Sequence, residues 1–329
     1  MKNAIGSALI LIALYVLSDF GAIALLRFNT FTTAIYYQIE SFEHGKATLL
    51  CLYLVIIAYI FLTLKNLFSQ KKLQYNDKEN SMQVKLFSVG KYSYLIYFCY
   101  VSLVLFSSLI PFSVLLLWVF DINFAVIFTP LLSSISLALI AAFAATLLAL
   151  PFCYFLKRKA TKLPKFIDFL AILSYSLPSM IIGICFILLF NNFFPSIYDS
   201  SIPLLLALCL RFVPQAIEII KTQMSAFPQN LESAHLSLER KPISIIHNIA
   251  LPLLKPGIGT AILLVFVSSL KELPLALLLR PPGLNLLSTK IWLEANDAFY
   301  SQAAPYCIFL VLAGVSALPL IIKQKEQMK

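Results

Sequence analysis

The stretch FTPLLSSISLALIAAFAATLLALPFCYF, residues 128–155, runs 28 positions without a charged side chain and leads directly to Lys157, Arg158 and Lys159. About 20 apolar residues in a helix cross the hydrocarbon core of a bilayer, and a helix that is apolar on every face has no wet side to offer a soluble domain. The basic cluster at its end marks the cytoplasmic side of the crossing.

Working outward, seven more stretches of the same kind bring the predicted spans to 4–26, 47–64, 92–119, 128–155, 167–191, 202–220, 257–279 and 303–322. The composition agrees: 60% of the 329 residues are apolar and 12% are charged, about half the charge of an ordinary soluble domain. Mean hydropathy is +0.89. The chain reads as an all-α polytopic membrane protein. Eight spans put both termini on one side. The loops on that side carry 19 Lys and Arg residues, and the opposite loops carry only Arg27, Lys46, Arg280 and Lys290. That asymmetry places both termini in the cytoplasm and accounts for the net charge of +10 as a topology signal, with no nucleic acid partner required.

Cys51, Cys99, Cys153, Cys185, Cys209 and Cys307 are scattered through the spans with no CxxC pair, and His44, His235 and His247 lie far apart. Neither pattern makes a metal site. Phosphate-binding glycine loops and nucleophile elbows are absent as well. Nothing here reads as an enzyme, and no cofactor is expected on the chain itself.

The start imitates a signal peptide, with Lys2, an apolar run and Ala22-Ile23-Ala24. A self-comparison argues otherwise. Sliding the chain by 253 positions pairs residues 2–27 with 255–280 at nine identities, including Gly6/Gly259 and Arg27/Arg280, with Asp19 opposite Glu272. After a three-residue slip, an offset of 256 pairs Thr33/Thr289, Ala47/Ala303 and Cys51/Cys307, with Tyr36 opposite Trp292. The first span therefore resembles a mid-chain one and is expected to stay in the membrane. Residues 1–64 read as the last two spans of one unit, 65–91 as a lysine-rich cytoplasmic linker, and 92–329 as a complete six-span unit. A full first unit would begin about 160 residues upstream of Met1 by that period. Repeated membrane units are a transporter architecture.

The longest cytoplasmic loop of the complete unit, about 221–256, contains AFPQNLESAHLSLERKPISIIHNIALPLLKPG from residue 226. Pro228, Asn230 and Glu232 read as a helix start, and Leu231, Ala234 and Leu238 keep helical spacing up to Pro242. A second amphipathic run follows, with Ile243, Ile246, Ile249 and Leu251, ended by Pro252 and Pro256. By themselves these are two short helices at the membrane surface.

This loop resembles the EAA-x3-G-x9-IxLP signature of permease subunits of binding-protein-dependent ABC importers. Ser233 stands at the glutamate, Ala234 at the first alanine, Glu239 at the bend glycine, Ile249 at the isoleucine and Leu251-Pro252 at the final pair. Glu232 sits one place early, and the glycine that would ease the bend is missing. Residues 16–36 and SLPSMIIGICFILLF at 176–190 are similar to fused permeases of the ferric iron type. The resemblance implies a type I importer transmembrane domain of six helices, preceded by two helices of a partial repeat, in a bacterial inner membrane. It also implies a cytoplasmic ATPase dimer that uses ATP and grips Glu232, Ser233, Ala234, Leu238, Glu239, Arg240, Pro242, Ile249, Leu251 and Pro252. A periplasmic binding protein would deliver the cargo, with thiamine, phosphonate and sulfate importers close enough in design to stand beside iron. A second chain would supply the missing first-half helices; a split gene, a remnant and part of a longer polypeptide all fit the truncated repeat.

Within the spans, Arg211, Gln215 and Glu218 fall on one helix face and are candidates for the translocation path. Pro178 is expected to kink the 167–191 span. Lys271 and Glu272 diverge on their helix and face the possibility of Asp19 across the unit interface. An ion-coupled secondary transporter is the competing class; it needs a central carboxylate with a partner, and only Asp19, Glu218 and Glu272 are available.

Overall fold

The computed structural model describes residues 2–69, 90, 93–119, 124–158, 177–225 and 251–326, and among them every regular element is helical. Chain order gives α1 (Lys2–Ser18), α2 (Gly21–Leu25), α3 (Phe31–Glu40), α4 (His44–Ser69), α5 (Ser93–Val104) and α6 (Ile110–Leu117). Then come α7 (Phe124–Arg158), α8 (Ser179–Phe193), α9 (Pro195–Tyr198) and α10 (Ile202–Ser225). The last four are α11 (Leu251–Leu270), α12 (Pro274–Leu279), α13 (Leu287–Asn296) and α14 (Tyr300–Glu326). A π-helical turn, Leu105–Leu109, joins α5 to α6. It lies just ahead of Pro111, whose ring and missing N–H disturb the preceding turn of an α-helix.

Among the described residues, six helices are long and apolar enough to cross a membrane. The expected span 4–26 is broken, since α1 stops at Ser18 before α2, and the expected span 257–279 is shifted: α11, one of the six, runs Leu251–Leu270 and stops before α12. Pro274 opens α12 as a first-turn proline, where its missing donor costs nothing. Each break frees a backbone carbonyl at membrane depth, and a hydroxyl from the next helix takes it. Thr32 Oγ1 donates to the Asp19 carbonyl at 2.8 Å, and Ser288 Oγ donates to the Glu272 carbonyl at 3.4 Å. Backbone irregularity inside a membrane persists only where protein groups satisfy it in this way.

The same series, long helix, break, short helix, ten-residue helix, long helix, therefore occurs twice, as α1–α4 and α11–α14. Its details recur in register. Thr33 Oγ1 accepts from the Thr30 N–H at 2.8 Å, and Thr289 Oγ1 accepts from the Leu286 N–H at 3.2 Å, each closing the start of the ten-residue helix. Phe42 and Ala298, 256 positions apart, both turn the chain at positive φ, 58° and 64°. Arg27 at φ 54° and Gly283 at φ 83° both stand in the left-handed region, in the connections that lead to the ten-residue helices, where the two copies differ by three residues.

The main core lies in the second half. Ala141, Ala142, Ala145 and Ala149 form a small-residue face on α7 that lets α10 and α11 pack close, with Leu208, Phe212 and Val265 filling between them. A second cluster joins the halves: Phe20, Ala24, Ile35 and Leu54 from the first, Met180, Ile181, Ile184 and Trp292 from the second. Tyr36 and Trp292, repeat equivalents, meet at 6.1 Å between ring centroids, and Phe20 lies 5.1 Å from each. Equivalent residues touch each other only near an axis that relates their copies. Pro178 stands at the start of α8 with extended ψ, so it opens that helix where a kink within a span is expected. The upstream part of that span, 167–176, lies outside the described residues.

Candidate functional site: a charged cavity between two broken helices

The two breaks face one another across a cavity of about 450 Å³. From α1 come Ser18 and Asp19, from α10 Arg211 and Gln215, and from the second break Lys271 and Glu272. Leu14, Phe20, Leu273 and Ile291 supply apolar wall. Phe20, with Tyr36 and Trp292 behind it, closes the end of the cavity that abuts α3 and α13.

Arg211 links three elements. Its Nη1 donates to the carbonyl of Leu177, the residue before Pro178 at the start of α8, and its charge acts on Glu272. Glu272 also lies beside the Ser179 hydroxyl, the Lys271 ammonium and the Leu275 N–H. Glu272 Oε1 and Gln215 Oε1 are enclosed and have no hydrogen-bond partner among the described residues. Two cations, Arg211 and Lys271, and two carboxylates, Asp19 and Glu272, thus stand in the wall of one cavity.

Of the path residues expected from sequence, Arg211 and Gln215 line the cavity. Glu218 is exposed and lies outside the lining, and Pro178 is buried next to the lining residue Ser179. Lys271, Glu272 and Asp19, which the sequence brings together only through the repeat, are in the wall. Among the coupling residues, Leu251 and Pro252 are exposed at the start of α11. Glu232, Ser233, Ala234, Leu238, Glu239, Arg240, Pro242 and Ile249 lie outside the described residues. Behind α11, Gly257 meets Gln223 of α10 so closely that an added Cβ would lie 3.0 Å from its side chain.

A family model described as the inner membrane component of binding-protein-dependent transport systems matches residues 149–323. The chain belongs to that family. The permease is 30% identical to the Fe(3+)-transport system permease protein FbpB 2 of Haemophilus influenzae, over 340 aligned positions that cover 100% of this chain and 67% of that protein. It is 24% identical over 188 residues to the ferric transport system permease protein FbpB of Actinobacillus pleuropneumoniae, covering 57% of this chain and 27% of that one. A spermidine/putrescine transport system permease PotC homologue of Mycoplasma pneumoniae matches at 30% over 198 residues, 60% of the permease and 68% of that protein. In fold, the permease is similar to a chain of a bacterial ABC transporter that imports the acidic polysaccharide alginate. That similarity has a TM-score of 0.57 at 14% identity and covers 71% of this chain and 94% of the other. The permease is accordingly an ABC importer transmembrane protein, and its relatives are the membrane subunits of transporters.

Proposed function

We propose that this permease carries ferric iron from a periplasmic binding protein into the cytoplasm by alternating access, driven by a separate ATPase dimer that binds and hydrolyses the ATP. The observation that carries the reading is the cavity. Two helix breaks related by the repeat present Asp19 and Glu272 to one charged space, where a cation meets carboxylate oxygens while Arg211 and Lys271 keep its binding weak. The likeness to two ferric permeases supports iron as cargo. The aromatic trio Phe20, Tyr36 and Trp292 serves as the outer gate, with both termini and the 221–256 loop on the cytoplasmic side. ATP-driven closure of the ATPase pulls that loop, which rocks α10 and α11 and reopens the cavity inward.

Two measurements test this. Mild-detergent purification of the tagged chain is expected to recover an ABC ATPase, and vesicles holding the recovered complex with a binding protein are expected to take up radioactive ferric iron when ATP is supplied. A chain that purifies without an ATPase overturns the reading. Polyamine uptake is the second reading, favoured by the spermidine/putrescine relative, because a flexible polycation also suits paired carboxylates. Radioactive spermidine in place of iron separates the two.

The coupling surface gives a further expected result. By its spacing in the sequence Leu238 belongs to the apolar set of the expected first loop helix, and Leu238→Asp places a charge where the ATPase is expected to seat apolar surface. ATP hydrolysis is expected to persist while iron uptake falls to background. Unchanged uptake would remove Leu238 from the coupling surface.

A further inference from the structure

A second, smaller polar cell adjoins the break between α11 and α12. Its volume is about 10 Å³, room for a single water-sized particle. Ser134 of α7, Ser269 near the end of α11, Glu272 in the break and Ser288 of α13 line it, with Leu204 and Leu208 of α10 in its apolar wall. Two of its oxygens have no hydrogen-bond partner among the described residues: Ser269 Oγ, on a residue only 6% exposed, and the enclosed Glu272 Oε1. Buried oxygens left unsatisfied are costly, so two in one cell point to something that both bind.

The other two hydroxyls are already oriented. Ser134 Oγ accepts the Leu287 N–H at 2.7 Å, and Ser288 Oγ donates to the Glu272 carbonyl at 3.4 Å. A hydroxyl that donates its proton elsewhere keeps its lone pairs for the cell. Leu270, the last residue of the 20-residue α11, lines the cell as well, which brings the negative end of that helix dipole to it. The repeat shows that the cell belongs to the second break alone. Asp19 and Thr32, the equivalents of Glu272 and Ser288, make the same hydroxyl-to-carbonyl bond, but Val16 stands where Ser269 does. The first break has the structural bond without the extra oxygen.

We propose that the cell formed by Ser134, Ser269, Glu272 and Ser288 binds a sodium ion. The donor set decides the class of ligand. It holds only oxygen, with no thiolate or imidazole for a transition metal. One carboxylate and three hydroxyls do not meet the needs of Ca²⁺, which takes about 6–8 oxygens, and Mg²⁺ keeps waters for which the cell has no room. A small monovalent cation suits hydroxyl, carboxylate and helix-end oxygens at a broken helix. Arg211 and Lys271 line the main cavity and not the cell, whereas Glu272 and Ser288 line both. An ion in the cell therefore holds the carboxyl that the main cavity shares, and fixes the shape of the break. The proposal concerns the break and is independent of the cargo.

The test uses the full chain, purified in mild detergent with whatever partners accompany it. Its melting temperature is expected to be about 2–4 °C higher in NaCl than in KCl of equal ionic strength. In equilibrium dialysis against radioactive sodium, it is expected to bind one more Na⁺ per permease than Ser269→Ala does. The hydroxyl removed by Ser269→Ala makes no bond to the described residues, so this variant folds. In KCl it is expected to melt at or above the parent chain, because a buried unsatisfied group is gone, and in NaCl it is expected to show no shift. Equal melting of the parent chain in the two salts, the result if the cell holds only water, overturns the proposal. A NaCl shift or undiminished sodium binding in Ser269→Ala also overturns it, since the ion would then sit elsewhere. Neither readout needs an ATPase or iron. The sodium site fails on these measurements while the permease reading stands, and the permease reading fails on a missing ATPase whatever sodium does.

Discussion

Arg211→Met is expected to reduce iron uptake to background while leaving the chain folded in the membrane. The guanidinium ties α10 to the start of α8 through the Leu177 carbonyl and supplies positive charge to Glu272 at the break between α11 and α12. Methionine matches much of the volume but donates nothing, so the Leu177 carbonyl loses a partner and the Glu272 carboxyl loses the guanidinium charge beside it. Removing one member of a fully buried charged pair costs about 3–5 kcal/mol. Arg211 is only half-buried and lines the cavity, so about 1–3 kcal/mol is the fitting range. At 1.4 kcal/mol per factor of ten, uptake falls by about five- to a hundredfold. Arg211→Lys keeps the charge without the planar fork and is expected to retain an intermediate rate. The double variant Arg211→Met with Glu272→Gln separates the two roles. If charge balance dominates, it recovers part of the uptake; if the tether to Leu177 dominates, it stays at the level of Arg211→Met. Wild-type uptake by Arg211→Met would take the cavity off the path.

How much of this site the sequence could reveal follows from which interactions are local. Apolar length placed the long helices, because a bilayer demands about 20 residues whatever their neighbours do. The breaks at Asp19 and Glu272 stayed hidden, since averaging over 20 residues absorbs one or two charges. Pro274 was the local sign of the second break, and the first has no proline, only its alignment with the second. The ten-residue helices α3 and α13 are too short to read as spans, yet their hydroxyls make both breaks tolerable. Helical spacing groups Arg211, Gln215 and Glu218 on one face, but seven residues rise about 10 Å along the axis. That carries Glu218 past the cavity. The bond from Arg211 to Leu177 crosses 34 positions and involves a backbone carbonyl, for which no residue type is diagnostic. The repeat was legible because it is written in the sequence itself, and it alone brought Asp19 and Glu272 to one place.

Gly183 makes the second large effect. It is buried on α8 where that helix crosses α12, and a Cβ built there would lie 2.6 Å from Leu278 Cδ1 and 3.3 Å from Leu278 Cβ. The terminal methyl of Leu278 can rotate away, but its Cβ is fixed to the α12 backbone. Gly183→Ala therefore asks for a few tenths of an ångström of movement and gains about 1 kcal/mol of helix propensity, so its melting temperature in detergent is expected to stay near that of the parent chain. Gly183→Val adds two more carbons with one stiff rotamer, for which no gap exists, and overpacking of this kind costs about 1–3 kcal/mol. Relief comes only if α12 moves off α8. Because Glu272 and Pro274 lead directly into α12, that movement displaces the break and reshapes the cavity, so uptake is expected to fall further than stability. Adding Leu278→Ala to Gly183→Val removes the obstructing side chain and is expected to restore both melting temperature and uptake in part. Restored stability without restored uptake would mean that Leu278 itself holds α12 in register. A Gly183→Val chain that melts and transports like the parent would show that α8 and α12 do not cross as closely as the Cβ contacts require.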